Sequence, residues 1–218
     1  MLLSIILTYI PLILAIVLHE IAHGYAAYIF GDDTAKSQNR LSLNPLHHID
    51  IVGTILVPTI LLLSHTGFIF GWAKPVPINY NKLKDPSKAT VYISSAGIIT
   101  NILLAIISAL LLKLLSFFSL SLSLGIINIF LLNLVIYNVI LAVFNALPIP
   151  PLDGSKILLG WSKNPKIWRF LNASHEGTFI IILISFIIPV ITFYCGYDFN
   201  PFGTYLITTS QKIISWLI

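Results

Sequence analysis

Residues 19–23 read His-Glu-Ile-Ala-His, and they interrupt an apolar run that extends from Leu2 to Phe30. As a helix of about 29 residues, roughly 43 Å, that run is long enough to cross a bilayer with some tilt. Two histidines four apart lie on one helix face, about a turn from each other, close enough to hold one metal ion. The glutamate between them can reach a water on that metal, which is the arrangement of a zinc peptidase. The competing reading is a polar kink without a metal. Three ionisable groups inside an apolar helix are costly and usually functional, which weighs against it. The chain also has only two glutamates, Glu20 and Glu176, so such a motif is a rare coincidence.

Composition places the motif in its solvent. The 218 residues are 57% hydrophobic and 9% charged, far from a soluble domain and typical of an integral membrane protein. The net charge of +4 comes from lysines and arginines in loops, with no basic patch interleaved with aromatics. It points to membrane orientation, and nucleic acid is not an expected partner. Cys195 is the single cysteine and cannot form an internal disulfide; it reads as packing. The first apolar run lacks a basic start and a small-residue cleavage site, so it is expected to remain in the mature protein. The chain is expected to form one domain over 1–218.

In chain order, residues 2–30 form the first span, which Pro11 can kink. His19 then lies roughly 17 Å along the helix from its end at Gly31. Residues 31–50 are a polar connection. Residues 51–70 are apolar but carry Gly53, Pro58 and His65, and residues 71–80 alternate prolines as an extended segment does. Spans follow at 89–114, 125–147 and about 177–196, separated by 115–124 and by the proline-rich 148–154. Residues 203–218 are either a final span or an interfacial helix. The expected fold is an all-α polytopic membrane protein with about four to six transmembrane helices. Lysine and arginine cluster in 31–90 and 148–176. Placing both basic loops in the cytoplasm makes 51–70 re-entrant, puts the N-terminus outside and brings the metal nearer the cytoplasmic face of the cell membrane.

A catalytic zinc needs three protein ligands and an open position. No histidine follows at the metzincin spacing. Asp153, pinned by prolines in PIPPLDG at the end of a span, is a candidate from its position, with Glu176 as the alternative. Asp153 could instead serve as the N-cap of the helix that begins at SKILL. The histidines at 47, 48 and 65 read as loop hydrogen-bonders, with a supporting or plug-ligand role as the alternative. Asn128, Asn133 and Asn138 read as helix-joining polar groups.

The segments HEIAHG, NPLHHID, GWAKPVPIN, AGIITN and FNALPIPPLDG, in that order, resemble the site-2 protease family of intramembrane zinc metalloproteases, in its compact prokaryotic form without PDZ or CBS domains. The likeness covers most of the chain. It implies one zinc per chain held by His19, His23 and Asp153, with Glu20 as general base. It also implies that Asn145 and Asn101 lie near the active site, holding substrate backbone or the oxyanion. The family's A-G-P-x-x-N motif appears here as Ala96-Gly97-Ile98-Ile99-Thr100-Asn101, without its proline.

The expected activity is therefore zinc-dependent hydrolysis of peptide bonds within or beside transmembrane segments. The partners are a transmembrane protein substrate and the lipid bilayer. A substrate helix must unwind locally, and an extended edge near PVPIN or NPLHHID could pair with it. A membrane metal transporter is the first alternative, but it would spread its ligands along a path. A catalytically inactive relative that binds membrane proteins is the second, and the intact Glu20 argues against it.

Overall fold

Leu2–Ile29 forms one unbroken helix, α1, of 28 residues, about 42 Å long. Pro11 sits inside it and does not break it. A proline has no N–H, so the carbonyl four residues earlier loses its helical donor. That carbonyl belongs to Leu7, and Asn133 Nδ2 donates to it at 2.8 Å. Asn133 thus does join two helices, at the one α1 carbonyl that the proline strands. The helix stops at Gly31, whose φ of 101° suits a residue without Cβ. The amides of Gly31 and Asp32 then bond back to the carbonyls of Tyr28 and Ala27.

The computed structural model describes residues 2–56, 59, 72–116, 122–162, 184, 187–197 and 199–218. After α1 come a short helix α2 (Thr34–Ser37) and irregular turns, then α3 (Pro86–Ser116) and α4 (Leu122–Asn145). The chain continues with α5 (Asp153–Trp161), α6 (Ile188–Tyr194) and α7 (Pro201–Leu217). Among the described residues there is no strand, and the segment expected to be extended, 72–79, runs without a ladder. Ile6–Ile29, Pro86–Ser116 and Gly125–Asn145 are long and apolar enough to cross a membrane. This is an all-α membrane protein. The fourth expected span, 177–196, lies mostly outside the described residues, as does most of 51–70.

The three long helices pack through small residues. Ala15 and Ala27 of α1, Ala89, Gly97, Ala105 and Ala109 of α3, and Val135 and Val139 of α4 are buried at the contacts. Small side chains let apolar helices approach closely where lipid leaves little hydrophobic drive for association. Larger residues such as Leu103, Ile107 and Leu110 face outward and are more than half exposed, which suits lipid. Helix α7 lays Phe202, Leu206 and Ser210 inward, with Ile214 and Leu217 against the α3–α4 seam.

The loop between α1 and α3 doubles back. Trp72 N donates to Gly53 O at 3.1 Å, and Lys74 N to His48 O at 2.9 Å, while Thr54 Oγ1 donates to Trp72 O. A single crossing of the bilayer would separate Thr54 from Trp72 by roughly 30 Å. They touch instead, so Thr54 and Trp72 lie side by side.

Candidate metal centre

α1 presents His19 and His23 to α3 and to the start of α5. Both rings are buried, at 6% and 8% exposure. They fit because residue 97 is glycine. A Cβ there would lie 2.5 Å from His19 Cε1 and 2.6 Å from His23 Cε1, closer than carbon atoms approach.

The two Nδ1 atoms are spoken for by the protein. His23 Nδ1 donates to the Ile93 carbonyl at 2.7 Å, an unambiguous acceptor. His19 Nδ1 lies 2.5 Å from Asn101 Oδ1. With hydrogens on both Nδ1 atoms, each neutral imidazole keeps a bare lone pair on Nε2. These two Nε2 atoms face each other at 2.9 Å.

Asp153 supplies the third atom. It is the first residue of α5, and the cap position belongs to Leu152. Its carboxylate is not spent on capping, so the competing sequence reading does not hold. Asp153 Oδ2 lies 3.2 Å from His19 Nε2 and 3.1 Å from His23 Nε2, while Oδ1 takes Lys156 Nζ at 3.3 Å. Oδ2 is buried without a hydrogen-bond donor. The adjoining Gly154 has its Cα against the Ala146 and Leu147 carbonyls, where a side chain would collide. That contact presses the start of α5 onto the end of α4.

In that neutral tautomer three electron-rich atoms face one another, at 2.9, 3.1 and 3.2 Å. Such a cluster is repulsive unless a cation occupies it. Tetrahedral zinc at its usual N and O distances has ligand–ligand edges of roughly 3.3–3.4 Å, so the donor set fits zinc closely. Glu20 is also near, with a carboxylate oxygen within 4.8 Å of the histidine nitrogens. Its Oε2 accepts the Val76 N–H at 2.9 Å, however, and Asp153 is the closer carboxylate. Asp153 Oδ2 is therefore the carboxylate oxygen nearest to both Nε2 atoms, and Glu20 stands beside it.

The remaining candidates fall elsewhere. Asn101 is fully buried. Its Nδ2 donates to Asn138 Oδ1 at 2.7 Å and to Ala15 O at 3.3 Å. With both amide hydrogens and Oδ1 engaged, Asn101 backs His19 and has no hydrogen to offer an oxyanion. Asn101 lies beside the histidine pair, near the candidate centre as expected, through its contact with His19. Asn138, read as a helix joiner, is its partner, and one sequence clue to the pair is the burial cost of asparagines inside spans. Asn145 ends α4 half-buried and donates to Leu141 O at 3.1 Å, leaving one amide hydrogen uncommitted by that bond.

His47 and His48 bond to the Asn39 and Ser42 carbonyls, the loop roles expected of them, while His65 and Glu176 lie outside the described residues. Asp32, Asp33, Asp50 and Asp85 are engaged with Thr34 and Asn79, Lys82, Gly53 and Lys88 respectively. Cys195 is exposed rather than packed.

Val76 was not singled out from the sequence as a site residue. It belongs to a strap, residues 72–79, that is tied down along its length. Arg40 Nη2 donates to the Lys74 and Pro75 carbonyls, Val76 N binds Glu20, and Asn79 N binds Asp32 Oδ2 at 2.6 Å. Pro75 and Pro77 have no N–H, so Val76 supplies the one backbone donor between residues 75 and 77. The strap holds Glu20 through the Val76 N–H.

Comparison with known proteins adds to this geometry. No family model and no solved structure matches the chain. "Putative zinc metalloprotease YwhC" of Bacillus subtilis (strain 168) is 40% identical over 185 residues, 83% of this chain and 80% of that protein. "Putative zinc metalloprotease Rip2" of Mycolicibacterium smegmatis (strain ATCC 700084 / mc(2)155) is 26% identical over 208 residues, 92% of this chain and 76% of that protein. Identity at the level of YwhC across four fifths of both chains is shared descent, and the chain belongs to the site-2 protease family of zinc metalloproteases.

Proposed function

We propose that the protein is a zinc-dependent intramembrane endopeptidase that cuts transmembrane proteins within or next to their spans. The observation that carries this reading is the cluster of two bare Nε2 atoms and a buried carboxylate oxygen, set in a helix of membrane-spanning length beside Glu20. His19, His23 and Asp153 would hold the metal. Zinc bound there supplies a Lewis acid that polarises the scissile carbonyl and acidifies water. Glu20 removes a proton from the attacking water and returns it to the leaving amine. The Val76 N–H holds one carboxylate oxygen and leaves the other for that proton. Asn145 has an amide hydrogen to offer the substrate carbonyl.

Ligands that converge on one point favour catalysis over transport, which needs a series of sites. The lysines and arginines between α1 and α3 favour a cytoplasmic position for that loop, with the N-terminus outside. Cysteines placed at Lys36 or Lys82 in a Cys195→Ser background should then be labelled from the cytoplasmic side alone.

The depth of His19 in α1 favours a substrate that arrives laterally, already out of water. Backbone groups released in hydrocarbon cost several kcal/mol each, so a Leu-rich helix should resist while one weakened by an Asn-Gly pair should be cut. One proteoliposome preparation should be offered both spans and a soluble peptide of the same scissile sequence. Preferred cleavage of the soluble peptide would overturn the intramembrane reading.

A further inference from the structure

We infer that Asn138 is a positioning residue for the metal centre, acting through Asn101 to fix which nitrogen His19 turns toward the metal. The inference rests on the metal-site reading above. It starts from a group with no ambiguity, the backbone carbonyl of Leu134, which can only accept. Asn138 Nδ2 donates to it at 2.8 Å, so the other end of the Asn138 amide is its oxygen. That oxygen lies 2.7 Å from Asn101 and must receive Asn101 Nδ2. Asn101 Oδ1 is then the atom at His19 Nδ1, and an oxygen there requires the hydrogen on Nδ1. His19 Nε2 is left bare, which is the state that binds a metal. Each link has only one orientation compatible with the one before it.

All of this is sealed from water. Asn101 and Asn138 both show 0% exposure and His19 6%, so no solvent can substitute for a missing partner. Without Asn138 Oδ1, Asn101 keeps only its 3.3 Å bond to Ala15 O. Its amide could then turn over and present N–H₂ to His19 Nδ1. The imidazole would answer by carrying its hydrogen on Nε2, where it blocks the metal. Residues that orient metal-binding histidines typically matter by about ten- to a hundredfold in metal affinity. Asn138 does this from α4, one residue further out than the group that touches the histidine.

The test compares zinc affinity, by chelator competition in detergent micelles, for wild type, Asn138→Leu, and Asn138→Leu combined with Asn101→Asp. Asn138→Leu should bind zinc roughly ten- to a hundredfold more weakly. The second change should restore affinity to within a few-fold, because a carboxylate accepts from Nδ1–H whichever way it turns. A mere packing role for Asn138 would not be rescued at position 101. Wild-type affinity in Asn138→Leu, or no recovery in the double variant, would overturn the inference.

A second arm needs no variant that could fail to fold. Two-bond proton–nitrogen correlation spectra of metal-free wild type should show His19 with its hydrogen on Nδ1, and finding it on Nε2 would also overturn the inference. Failure of wild type to bind zinc at all would instead remove the metal-site reading, and the spectra would still decide the tautomer.

Discussion

The backbone N–H of Val76 donates to Oε2 of Glu20 at 2.9 Å, across 56 residues of sequence. The donor is flanked by Pro75 and Pro77, so it is the only N–H between residues 75 and 77. Val76 is 5% exposed and its side chain rests on Gly24, one residue beyond the histidine pair. The strap therefore touches α1 twice, once at the carboxylate and once at the glycine that gives it room.

Val76→Pro removes the donor and should leave Glu20 poorly aimed. A hydrogen bond to a charged group contributes about 1.5–3 kcal/mol, so kcat should fall by roughly ten- to a hundredfold with zinc content unchanged. Val76→Ala keeps the N–H and should retain most of the activity. Equal losses in the two variants would show that the side chain, not the amide, matters.

Glu20→Gln preserves size and leaves the three ligand atoms in place. Zinc should stay, and turnover should drop by at least about a hundredfold. Asp153→Ala should lose zinc, because it removes the oxygen that faces both Nε2 atoms. Metal analysis of the purified variants checks both, and full zinc occupancy in Asp153→Ala would remove Asp153 from the ligand set.

Gly97→Ala inserts one methyl between two rings. With ring atoms at 2.5–2.7 Å from the new carbon, either α3 or both histidines must shift. Overpacking of this kind costs about 1–3 kcal/mol, and here it acts on the ligands. Zinc affinity should fall while the helical content measured by circular dichroism is kept. A Gly97→Ala protein with unchanged zinc affinity would mean that the rings have room the structure does not show.

The strap's far end should respond to acid. Burial by itself would raise the Asp32 carboxyl, but hydrogen bonds from Thr34 and from the Asn79 N–H outweigh it, with Lys82 adding to them. The folded-state value is therefore depressed below the ordinary one. Stability from this link is present above the unfolded carboxyl's pKa, about 3.9, and is lost as pH falls through the lower folded value. Hydrogen exchange at Asn79 should be slow at neutral pH and quicken in Asp32→Asn. Equal exchange in the two proteins would show that the carboxylate does not hold the strap.

Sequence alone determined what periodicity and composition control. An apolar run longer than a bilayer, with His19 and His23 four residues apart, specifies a membrane helix and two histidines on one face of it, because local spacing sets which side chains share a face. Only the tertiary structure decided the rest. Asp153 could have capped α5, but the cap position is Leu152 and the Asp153 carboxylate faces the two histidines from the start of that helix. Asn101 could have faced substrate, but its place behind His19 depends on α3 and α4 meeting at Asn138. The Val76 amide has no sequence signature, because a backbone N–H becomes specific only where the fold sets it down. Contacts of this kind join residues 37, 56 and 82 positions apart, and no local pattern encodes a distance across the bundle.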